Sequence, residues 1–109
     1  MIKSDQVYLE HILESIRKVE DFVNGITQTE FDNSVLIQDA VIRNFEIIGE
    51  ATKKISKQFT QLHSEIPWQD MAGMRDKLIH DYLDVDIEVV WKTVKSDLPH
   101  LKEMIQKIL

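Results

Sequence analysis

Cysteine is absent from the 109 residues, so neither a disulfide framework nor a thiolate metal site can be built, and a reducing cytoplasm is the compartment this predicts. Glycine occurs three times and proline twice, too few obligatory turns for many short strands. An all-α chain is expected. No apolar run approaches the length needed to span a membrane, and Met1-Ile2-Lys3-Ser4 shows no signal peptide, so the reading is a soluble intracellular protein without a membrane partner. An excess of basic charge is lacking too: the net charge is -6, whereas a chain that held long stretches of nucleic acid by charge alone should be basic. Any nucleic acid it meets is expected to be held locally. There is no glycine-rich phosphate loop, no paired-histidine metal helix and no Gly-x-Ser-x-Gly elbow, so neither a metal nor another cofactor is called for.

What the chain does have is 43% hydrophobic and 29% charged residues, close to the averages of a folded globular protein, in a length that predicts one domain over 1–109. Ser4 and Asp5 can start a helix whose apolar stripe is Leu9, Ile12, Leu13, Ile16, Val19, Val23 and Ile26. Asn24-Gly25 should stop it. Thr29 to Ser34 then reads as a connector with at most one helical turn, in which Phe31 plugs the bundle end and Asp32, Asn33 or Ser34 caps the next element. A second long helix is predicted over Val35–Lys57, with Ile37, Val41, Phe45, Ile48, Ala51 and Ile55 as its core stripe. Gly49 lies inside it, which suggests close approach of another backbone, because a helical glycine costs about 1 kcal/mol relative to alanine. Arg43, Asn44 and Glu50 on this helix either face solvent or turn inward to support a site. Lys53, Lys54 and Lys57 suit a helix C-terminus and can also guide a phosphate backbone.

Ile66 to Gly73 reads as a loop and a short helix, with Pro67 at its first position, Trp68 as a structural anchor and Gly73 as its terminator. A last helix, capped by Asp84 or Asp86, carries Ile87, Trp91, Val94, Leu98, Leu101, Ile105 and Ile108. Pro99 must kink or restart it, with Asp97 as a candidate new cap. The sum is an up-down bundle of about four or five helices with antiparallel neighbours.

Reactive side chains concentrate between these last two elements, in Gly73-Met74-Arg75-Asp76-Lys77-Leu78-Ile79-His80-Asp81-Tyr82. His11, His63 and His100 have no acidic or histidine partner at ligand spacing and read as surface residues; His80 stands between Asp76 and Asp81. Such a set can cleave RNA. The 2′-hydroxyl attacks its own phosphodiester when a base removes its proton, an acid protonates the departing oxygen, and a cation holds the charge that builds on phosphorus. Histidine suits proton transfer near neutral pH, and the planar guanidinium of arginine suits phosphate oxygens. The competing reading is structural, in which Arg75 and His80 pair with Asp76, Asp81 or Asp84. On an ideal helix Arg75 and Tyr82 lie within about 20° of each other, while His80 is about 140° from Arg75. One straight helix does not aim both at one phosphate. Either the helix unwinds near Ile79, or two copies face each other across a two-fold axis and share the site.

The segment Arg75-Asp76-Lys77-Leu78-Ile79-His80-Asp81-Tyr82 resembles the Arg-x-x-x-x-His-x-Tyr signature of the HEPN superfamily, and specifically the HepT-like toxins encoded beside a minimal nucleotidyltransferase antitoxin. The flanks share the likeness: Gln38 to Asn44 running into Ile48 to Ala51, then Pro67-Trp68, Ala72 to Arg75, Val90-Trp91 and Asp97-Leu98-Pro99. The resemblance implies a HEPN-like helical homodimer, a metal-independent endoribonuclease with Arg75 and His80 in the active site near the dimer interface, and Tyr82 as the tyrosine to which the antitoxin attaches AMP. Tyr8, the other tyrosine, is expected to take no part in that modification. The residue after the arginine is often Asn in this superfamily and here is Asp76, which can support the site by orienting Arg75 or His80 and also adds a negative charge beside a phosphate. Two further readings stand beside the nuclease: a non-catalytic helical dimer that binds a nucleotidyltransferase, and a module that holds a mononucleotide in the same pocket.

Overall fold

The computed structural model describes the backbone of residues 1–109 and every side chain except that of Tyr82. It is all-α. Among the described residues four long rods make the frame: α1 (Lys3–Val23), α3 (Val35–Lys54), α5 (Trp68–His80) and a continuous rod formed by α6 (Ile87–Lys92), a π-helical turn (Thr93–Asp97) and α7 (Leu98–Ile108). Short helices α2 (Gln28–Asp32) and α4 (Lys57–Leu62) and a 3-10 turn (Tyr82–Asp84) connect them. No helix is long and apolar enough to cross a membrane.

The three-four spacing of α1 buries Leu9, Ile12, Leu13, Ile16, Val19 and Val23 on one face, each large aliphatic side chain contributing about 1.5–3 kcal/mol when fully withdrawn from water. The helix begins at Lys3, and Asp5 has a task other than capping. It is buried, and its carboxylate accepts from the Ser56 backbone N–H at 2.8 Å and the Ser56 hydroxyl at 2.7 Å, which ties the start of α1 to the junction after α3. That junction is why α3 ends at Lys54 rather than Lys57: Ile55 turns extended, and Ser56 Oγ accepts from Phe59 N–H at 3.2 Å to begin α4. Gly25, at φ 76°, turns the chain out of α1 in the left-handed region that suits glycine. Ile26 is only partly buried beyond it.

The connector is more ordered than its composition predicts, since Thr27 and Glu30 form a reciprocal capping box at 3.1 and 3.0 Å around α2. Phe31 is fully buried with its ring centroid 5.0 Å from that of Trp91, and Ser34 caps α3. At the far end Trp68 is buried and its indole N–H donates to the His63 carbonyl at 2.9 Å, the anchoring role expected of it.

Three expectations are corrected here. Gly73 does not end a short helix: α5 runs through it to His80, because Ala72, Met74, Leu78 and their neighbours sustain the helical pattern and Gly73 keeps a helical φ. Pro67 sits one position earlier than expected, as the residue before the helix. Asp97 does not cap a restarted helix either. Its φ and ψ of -86° and -38° are helical, its side chain makes no capping bond, and Leu98 N–H donates to the Thr93 carbonyl five residues back. The wider π-turn carries the chain past Pro99, which has no N–H to give and whose ring crowds the carbonyl four residues before it.

Helix α3 lies between α1 and α5 and packs extensively on both. At Gly49 the approach of α5 is closest: a Cβ there would overlap Arg75 Cβ and stand 2.9 Å from the Met71 carbonyl oxygen. The close backbone expected at this glycine is therefore α5 itself, and the contact sets where Arg75 stands.

Candidate active site

With its Cβ against Gly49, Arg75 runs along the flank of α3, where Nη2 lies 3.1 Å from Glu50 Oε2. Its Nη1 donates to Asp76 Oδ1 at 3.1 Å, and Lys53 pairs with the same Asp76 oxygen. The bond from Lys53, then that from Arg75, holds the Asp76 carboxyl below its ordinary value of 3.8, so it is ionised throughout the neutral range. The result is an alternating chain of charge, Lys53, Asp76, Arg75, Glu50, across two helices. The Arg75 side chain is 28% exposed, and a guanidinium has five N–H donors, so it can meet a ligand while remaining braced.

Beside it opens a groove of about 300 Å³ between α1, α3 and α5, lined among others by Tyr8, His11, Arg43, Glu50, Lys54 and Arg75. Of the residues with two readings on α3, Glu50 and Arg43 line this groove. Asn44 does not line the groove: it is buried, its Nδ2 donates to the Ala40 carbonyl at 2.8 Å, and its Oδ1 has no partner among the described residues.

His80 is placed elsewhere. It is the last residue of α5, exposed, and absent from the lining of this groove. The helix does not unwind near Ile79, since Asp81 N–H still donates to the Lys77 carbonyl at 2.8 Å, and His80 keeps its angle of about 140° from Arg75. The structural alternative holds for Arg75, which does pair with Asp76, but among the described residues His80 makes no ion pair. The Tyr82 side chain, singled out as the modification target, lies outside the described residues.

Three groups escaped the linear reading. In the sequence Lys53 belongs to a basic cluster at a helix end, and only the packing of α5 on α3 shows that it pairs with Asp76. His11 is edge-on to Tyr8, with centroids 6.3 Å apart and planes at 85°; their three-residue spacing on α1 was the signal available. His63 is not an unpartnered surface residue, since its Nδ1 lies 3.5 Å from Glu65 Oε1 and its ring rests against Phe59.

An all-helical frame that carries Arg75 and His80 on α5, with Tyr82 in the turn that follows, is the arrangement of the HEPN class. A family model described as "Ribonuclease HepT-like" matches residues 12–108. The chain belongs to the HepT-like ribonuclease family. It is 51% identical, over 99% of its length and 98% of the relative's, to "Probable ribonuclease HepT" of Thermococcus cleftensis. It is 40% identical, over 99% of its length and 96% of the relative's, to "Putative RNase TTE0752" of Caldanaerobacter subterraneus. A third relative, "Gamma-glutamylcyclotransferase and putative RNase MJ0434" of Methanocaldococcus jannaschii, is 47% identical over the whole of this chain, which spans 49% of that protein. No solved structure gives a significant match.

Proposed function

We propose that the chain acts as one helical domain in a two-fold homodimer and is a metal-independent endoribonuclease, each site being assembled from Arg75 of one copy and the partner's His80. The observation that carries this reading is the placement of Arg75 and His80 on different sides of an unbroken α5, which a second copy reconciles. His80 moves the proton: it takes it from the 2′-hydroxyl or delivers it to the departing 5′-oxygen. As the 2′-oxygen bonds to phosphorus and the bond to the 5′-oxygen breaks, the guanidinium of Arg75 balances the charge on the non-bridging oxygens. The products are a cyclic phosphate, or the 3′-phosphate formed by its hydrolysis, and a 5′-hydroxyl. DNA, with no 2′-hydroxyl, survives.

Mixing inactive variants tests the shared site. Arg75→Ala and His80→Ala, unfolded together and refolded, should recover about a quarter of wild-type cleavage, since half the dimers are mixed and each has one intact pair. Recovery of nothing, with mixed dimers demonstrated, rules the shared site out, and loss of wild-type cleavage in excess chelator rules out the metal-free route.

Control by a partner belongs to the same reading and rests on the family resemblance. A minimal nucleotidyltransferase antitoxin attaches AMP to the Tyr82 oxygen, which attacks the α-phosphorus of ATP and displaces pyrophosphate. The added anion then competes with substrate phosphate for Arg75. Mass spectrometry after incubation with the antitoxin and ATP should find AMP on Tyr82 and none on Tyr8. Inhibition without an adduct would instead indicate occlusion. A non-catalytic dimer that binds a nucleotidyltransferase or a nucleotide draws on one observation, the prior pairing of Arg75 with Glu50 and Asp76; it predicts no cleavage under any condition.

A further inference from the structure

The groove beside Arg75 holds more chemistry than that reaction uses. Tyr8 is half-buried, packed against the core and braced edge-on by His11, so its ring is held at the groove rather than sweeping through solvent. Arg43 and Lys54 line the same groove from α3, and among the described residues neither makes an ion pair. With Arg75 they set three cations against the two carboxylates of Glu46 and Glu50. On a chain of net charge -6, this is a locally basic trough with an aromatic wall. Its volume of about 300 Å³ is at the small end of ligand sites.

We infer that this groove is a nucleotide subsite, in which Tyr8 stacks on an unpaired base while Arg43 and Lys54 hold the phosphates flanking the one that Arg75 engages. The inference rests on the nuclease reading for the identity of the ligand, and it names the form of substrate: single-stranded RNA, taken with little regard to base identity. Stacking on a ring accepts every base, and a base can lay its face on Tyr8 only when it is unstacked from its neighbours, as bases of a single strand are. It also accounts for nucleic-acid binding by an acidic chain, since the contact is confined to one trough.

A short fluorescent 2′-O-methyl RNA strand, which has no free 2′-hydroxyl to attack, reads binding apart from cleavage. Wild type should bind it more tightly than the same strand annealed to its complement. Tyr8→Leu, which keeps apolar packing and loses the aromatic face, should weaken binding about 10-fold, the scale of one base–aromatic stack. Tyr8→Phe should bind as wild type does, and Arg43→Gln with Lys54→Gln should weaken binding and flatten its salt dependence. On cleavable RNA, Tyr8→Leu should raise KM while kcat holds. Unchanged affinity and KM in a folded Tyr8→Leu protein would overturn the subsite even if cleavage proceeds. Tyr8-dependent binding in a protein that never cleaves would uphold the subsite and remove the nuclease mechanism instead.

Discussion

Arg75 is braced from both sides, by Glu50 through Nη2 and by Asp76 through Nη1, and this pre-set position is what an electrostatic catalyst needs. Arg75→Ala should lower kcat by roughly 10²–10³, the loss usual for a deleted transition-state charge donor, with His80→Ala at least as damaging; initial rates on a defined RNA measure both. Asp76 acts through its neighbours, with Lys53 and then Arg75 holding its carboxyl below 3.8. A carboxyl depressed in the folded state adds stability above its unfolded value, and that part is lost as pH falls through the folded one. Wild type and Asp76→Asn should therefore differ in melting temperature at neutral pH and converge as the pH drops below about 3.8, a small effect at so exposed a site. Melts across that range would show it, and a gap that widens in acid would contradict the assigned pairing.

At the scale of elements, the two glycines of α3 and α5 make opposite predictions. Gly49 is in contact with the backbone of α5, so Gly49→Ala drives a methyl group into Arg75 Cβ and should cost about 1–3 kcal/mol. Because the helices must part where Arg75 sits, cleavage should fall further than stability does. Gly73 is helical with nothing within 4 Å of a built Cβ, and Gly73→Ala should stabilise by about 0.5–1 kcal/mol. Chemical denaturation of the two variants checks the sign of each. The link between Asp5 and Ser56 joins α1 to the α3–α4 junction, and truncating Asp5 to Ala would strand the half-buried Ser56 donors at about 1 kcal/mol.

For the whole molecule, the proposed pairing of Arg75 with the partner's His80 makes assembly part of the site. Light scattering at micromolar concentration should report twice the 12.8 kDa of one chain, and a monomeric mass would leave Arg75 without a histidine. Affinity for RNA should fall only gently with salt, because few phosphates are engaged by the local cations of the groove and the chain as a whole is acidic.

The apolar rhythm of α1, α3 and α7 was legible in the linear chain because a periodic stripe depends only on neighbours three and four residues apart, and Leu9, Ile16, Val41, Phe45, Leu101 and Ile105 are all buried as it requires. The motif from Arg75 to Tyr82 was legible for the same reason, being short and contiguous, and it carried the family. Boundaries were less so. Ser56 ends α3 because Asp5, 51 residues away, takes its N–H and hydroxyl, and Gly73 passes through α5 because its neighbours outweigh its own modest helix penalty. Only the tertiary structure decided the company Arg75 keeps. Glu50 pairs with it, Lys53 pairs with its neighbour Asp76, and Tyr8 and Arg43 line the same groove, all from two other helices, and no local pattern records which face of α3 receives α5; that choice is made at Gly49, where the absence of one methyl group lets two backbones meet.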